Sequence, residues 1–65
     1  MINVNELKAA IVRKGMTQFQ VANKLGITPR TFSSKLNKGV FYSDEMEKMI
    51  DILDIENPMQ IFFDR

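Results

Sequence analysis

Midway along the chain, Leu25-Gly26-Ile27-Thr28-Pro29 leaves the backbone few paths. An apolar residue followed by Gly marks a helix that ends in a left-handed C′ position, which Gly adopts without a Cβ penalty. Thr28-Pro29 then starts a second helix: Thr is a good N-cap, and Pro suits the first helical position because its missing N–H had no partner there. Upstream, Val21, Ala22 and Leu25 lie at i, i+1 and i+4 and share one side of a helix. Thr17 and Gln20 have capping-box spacing, so each side chain can satisfy an orphan N–H at that helix's start. The pattern predicts helices over 18–25 and 29–37, crossing closely at the small Ala22, with Ile27 as an apolar plug in the turn.

The flanks read as helix too. Asn3 or Asn5 caps a first helix, with Glu6 near the positive end of its dipole. Leu7 and Ile11 face the core with Val4 one turn earlier, Gly15 stops the helix, and Met16 packs into the joint. Lys38-Gly39 ends the helix that began at Pro29, and Val40-Phe41-Tyr42 is an apolar connection. Ser43 is the expected N-cap of a fourth helix, whose Met46, Met49, Ile50 and Leu53 form a core stripe, with Asp44, Glu45 and Glu47 in its first turns. Asn57-Pro58 opens a last short helix, where Ile61, Phe62 and Phe63 are adjacent and so cannot all point inward. No alternating strand pattern competes. The expected fold is all-α, a compact bundle of four to five short helices.

At 65 residues the chain has room for one domain, spanning 1–65, that buries about 60% of its unfolded surface. It has no Cys and no His, which removes disulfides, thiolate metal sites, and the commonest general base. No Gly-rich phosphate loop is present either, so no enzymatic activity and no cofactor are expected. The acidic residues of 44–56 lack EF-hand spacing and read as a solvated helix face. No apolar run approaches the roughly 20 residues of a membrane span, and Met1–Arg13 has no signal-peptide apolar region. A cytoplasmic protein with no membrane and no small-molecule substrate is the expectation.

Charge is more telling once divided. The overall balance is +1, yet residues 1–42 carry seven Lys or Arg against Glu6 alone, net +6, and residues 43–65 carry two against seven, net −5. Such asymmetry suits a chain that turns one face to a polyanion; the plainer alternative is solvated charge that merely segregates along the sequence.

Thr17-Gln18, Val21-Ala22, Leu25-Gly26-Ile27-Thr28 and Thr31-Phe32-Ser33 together resemble the phage-repressor (Cro-like, or XRE) helix-turn-helix family, over nearly the whole chain. The resemblance implies a lambda-repressor-like bundle that binds double-stranded operator DNA, usually as a dimer. It points to a small phage or prophage regulator of transcription. One position departs: Lys35 stands where the family usually has an apolar residue, and Leu36 takes that role one residue later, which implies a slightly rotated or extended second helix.

On a wheel of about 100° per residue, Phe32 and Leu36 mark the buried side of helix 29–37, and Arg30, Ser33, Ser34 and Asn37 fall opposite. In docked helix-turn-helix proteins this helix enters the major groove, so those four are the candidate base readers, Arg30 by a bidentate contact to guanine. Gln18, Thr28, Thr31 and Lys38 are candidate phosphate contacts; by the resemblance, Gln18 matches a backbone-anchoring position. Thr28 and Thr31 have an equally good local reading, as a cap and a bond back to the preceding turn. Phe19 lies off its helix's core stripe, and its role stays open. Ile52, Phe62 and Phe63 are candidate homodimer contacts, although Ile61–Phe63 serves equally well to cap the chain's own core. The rival to DNA binding is a protein-interaction module that binds another regulator or itself.

Overall fold

The computed structural model describes residues 2–63 and, among them, five helices and no strand: α1 Val4–Arg13, α2 Gln18–Leu25, α3 Pro29–Lys38, α4 Ser43–Ile52 and α5 Pro58–Phe62. The expected all-α bundle is what forms. Local chemistry sets most boundaries. Asn3, not Asn5, caps α1, its Oδ1 accepting the Glu6 N–H at 3.1 Å. The Thr17 hydroxyl accepts the Gln20 N–H at 3.1 Å and the Gln20 side-chain oxygen accepts the Thr17 N–H at 2.9 Å, so both halves of the capping box form.

Four helices close in the same way. The amides of Met16, Ile27, Val40 and Ile55 reach back to the carbonyls of Ile11, Ala22, Lys35 and Ile50 at 3.0–3.1 Å, the long bond of a Schellman motif. Each motif needs a residue at positive φ, and in the turn between α2 and α3 that residue is Gly26, at +77°. The fourth is Asp54 at +50°, which meets the left-handed backbone while bearing a Cβ, at a cost of about 1–2 kcal/mol.

One helix start departs from the expectation. Tyr42, not Ser43, occupies the N-cap of α4, and Ser43 is its first helical residue. The reason lies three residues on: Glu45 turns back and its carboxylate accepts the Tyr42 N–H at 2.8 Å, fixing the cap one position earlier.

The core draws on every helix: Leu7, Ala10 and Ile11 of α1, Val21, Ala22 and Leu25 of α2, Phe32 and Leu36 of α3, Met49 of α4, and Ile61 and Phe62 of α5. Leu53 and Phe41 join from connections, and the Phe41 ring stands 5.6 Å from that of Phe32, tilted at 51°. Met46, Ile50 and Ile52 are half-buried against this core. The Asn3 N–H donates to the Ile61 carbonyl at 2.6 Å, tying the start of the chain to α5. α2 packs on both α3 and α4. The outcome for α3 is a helix seated on its Phe32–Leu36 side, with its other side turned outward.

Candidate nucleic-acid interface

Arg30, Ser33, Ser34 and Asn37 are all exposed, and their i, i+3, i+4, i+7 spacing places them in one stripe along α3, away from Phe32 and Leu36. Next to it Thr31, Lys35 and Lys38 form a second stripe by the same rule. Between this flank of α3 and the connection that follows lies an open groove of about 470 Å³. The helix contributes Arg30, Thr31, Ser34, Lys35 and Lys38; the connection contributes Val40 and Tyr42. Two of the sequence-derived base readers, Arg30 and Ser34, thus share a groove with two of the phosphate candidates, Thr31 and Lys38. Ser33 and Asn37 sit on the exposed stripe but do not line the groove, and neither do Gln18, the exposed first residue of α2, or Thr28.

Thr28 is committed locally. Its hydroxyl oxygen accepts the Thr31 N–H at 3.1 Å while its proton goes to the Thr31 hydroxyl at 2.9 Å. The Thr31 hydroxyl accepts that bond and keeps its own proton for an outside acceptor. Of the two, Thr31 is the one equipped to meet a phosphate oxygen.

Lys35 accounts for its departure from the apolar pattern. Its ammonium donates to both oxygens of Glu45, at 2.8 and 2.6 Å, and lies 4.1 Å from the centre of the Tyr42 ring. The side chains are only 21% and 9% exposed. The Lys35 position faces α4 as an apolar residue would, but α4 offers it a carboxylate and a ring instead of a hydrocarbon pocket. Sequence reasoning placed Glu45 on a solvated face; it is buried, because it serves Lys35 and the Tyr42 N–H together. The one available signal was the three-residue step from Tyr42 to Glu45, half a capping box with an unusual first residue.

Among the described residues, ion pairs form at Lys35–Glu45 and at Lys14–Asp54. Arg30 and Lys38 therefore present charge that no carboxylate among those residues neutralises, on both ends of the groove wall supplied by α3. A second cleft, of about 450 Å³, lies between α1 and the α4–α5 connection; its Arg13 and Lys14 are mixed with Glu6, Asp54 and Glu56, so it has no single sign of charge.

The candidate dimer contacts divide. Phe62 is corrected: it is 2% exposed and belongs to the core, because the short α5 turns Ile61 and Phe62 inward together. Ile52 is half-buried against that core. Phe63, the residue after α5, is 54% exposed, and Met59 on α5 is 67% exposed. Phe19 is exposed as well. No helix among the described residues is long and apolar enough to cross a membrane.

No curated protein and no solved structure matches the chain significantly. A family model does, and over nearly the full length: described as a protein of unknown function (DUF739), it covers residues 2–65, and the chain belongs to that family.

Proposed function

We propose that this protein is a sequence-specific DNA-binding regulator of transcription, of the phage-repressor type, that lays α3 in the major groove of an operator. The observation that carries the reading is the outward face of α3. Short hydrogen-bonding side chains, Ser33, Ser34 and Asn37, stand in line with Arg30, which has no carboxylate partner among the described residues, on a helix anchored from behind by Phe32 and Leu36. Ser is a poor helix former, so two consecutive serines in mid-helix need a reason, and close approach to base edges supplies one. The basic half of the sequence, which includes α1 to α3, adds the polyanion attraction. In this reading Arg30, Ser33, Ser34 and Asn37 meet bases, while Gln18, Thr31 and Lys38 meet phosphates.

The backbone of the described residues extends 27 Å at most and carries one helix of this kind, whereas successive major-groove faces lie roughly 34 Å apart. One copy therefore occupies a single half-site, and a palindromic operator calls for two copies, with exposed Met59 on α5 and Phe63 just after it the apolar surface at hand.

The division of labour on α3 is the testable part. Arg30→Ala should cost about 1–3 kcal/mol on the preferred sequence and little on random duplex, erasing discrimination at one base pair. Lys38→Ala should weaken all sequences alike and reduce the salt slope by about 1. Titration of both variants against specific and random duplexes at several salt concentrations decides it. Identical behaviour of the two variants on every sequence would break the proposed split.

A further inference from the structure

The groove beside α3 holds two side chains to which the reading above gives no task. Val40 and Tyr42 are 59% and 67% exposed, in a molecule whose core is small enough to use both. Tyr42 is nonetheless held. The Lys35 ammonium lies 4.1 Å from its ring centre, and its backbone N–H is bonded to the same Glu45 carboxylate that grips Lys35. An aromatic ring fixed in advance and left open to solvent loses little freedom when something covers it. Lys35 itself, neutralised by Glu45, brings little attraction for a polyanion; what its position does secure is the ring.

The chemistry of the groove narrows the occupant. With Arg30 and Ser34 given to base edges, Lys38 supplies a positive charge that no carboxylate among the described residues pairs, Thr31 supplies a hydroxyl, and Val40 with the Tyr42 ring supplies one apolar wall. A sugar–phosphate strand has that alternation, with anionic oxygens between apolar deoxyribose faces. Apart from the thymine methyl, base edges ask instead for paired donors and acceptors, of which Val40 has none and Tyr42 a single hydroxyl. The geometry points to Tyr42 as a backbone contact for one DNA strand, its hydroxyl donating to a phosphate and its ring lying on deoxyribose. Lys35 and Glu45 are then positioning residues that hold it, and the inference rests on the DNA-binding reading above.

The chain has one Tyr and no Trp, so its tyrosine emission reports Tyr42 alone. Acrylamide quenching of that emission, with and without saturating duplex at low salt, reads the contact in the unmodified protein. The expected result is at least about threefold less quenching in the complex, with Tyr42→Ala weakening binding about tenfold and Tyr42→Phe about threefold on every sequence. Wild-type protein that binds duplex with unchanged quenching, and Tyr42→Ala that binds within about twofold of it, would overturn the inference while leaving DNA binding intact. Wild-type protein that fails to bind at low salt would instead overturn the DNA-binding reading, and this inference with it.

The positioning role has its own readout. Lys35→Met with Glu45→Met removes the pair without changing net charge, so long-range attraction to DNA is preserved. In that background Tyr42→Ala should cost less than about twofold, because the ring is already untethered. An undiminished tenfold loss in both backgrounds would show that Tyr42 does not depend on the pair.

Discussion

Two lysine–carboxylate pairs hold different corners of this molecule. Lys35–Glu45 joins α3 to the first turn of α4, with side chains 21% and 9% exposed. Lys14–Asp54 joins the residue after α1 to the left-handed residue after α4, with side chains 41% and 71% exposed. The first carboxylate is gripped through both oxygens and accepts a backbone N–H as well; the second accepts one lysine bond in open solvent. The same pair of functional groups is therefore part of the fold in one place and an ornament of the surface in the other. What separates them is the water each has lost. A desolvated carboxylate must keep its partners, whereas a solvated one can exchange them for water at little cost.

The contrast breaks most readily at the first pair. Lys35→Met leaves Glu45 buried with a single bond, and unfolding by urea should show a loss of about 2–3 kcal/mol, near 10 °C or more in midpoint for a chain of this size. Adding Glu45→Met should restore most of that loss, since two apolar side chains can fill the space of a buried pair. At the other corner, Lys14→Ala should cost less than about 0.5 kcal/mol in the same assay, and that little should vanish in high salt. Equal losses at Lys35 and Lys14 would remove the distinction, and with it the account of why Lys35 stands in an apolar register.

The two regions also differ in how far the sequence announces them. The turn between α2 and α3 was legible residue by residue, because Thr17, Gln20, Gly26, Thr28 and Pro29 act on neighbours within a few positions. The outward stripe of α3 was legible from periodicity alone, since Phe32 and Leu36 fix which side is buried. Lys35–Glu45 was not, being a contact between elements ten residues apart that no helical period encodes. Tyr42 belongs to the same blind spot: it sits in a connection without a repeat, and its cap depends on Glu45 folding back. Adjacent Ile61, Phe62 and Phe63 implied that one must point outward, but which one was decided by how α5 docks on the core, and Phe63 was left outside.

The reading of α3 as a DNA-binding helix is tested most directly by fluorescence-anisotropy binding to a randomised duplex pool at about 50 and 200 mM salt, with the bound strands recovered and sequenced. The expected result is binding that weakens steeply with salt and enriches one motif, palindromic if two copies engage it. Absence of binding at the lower salt would contradict that reading, leaving a helical bundle whose exposed α3 stripe, with Met59 of α5 and Phe63 after it, serves a protein partner instead.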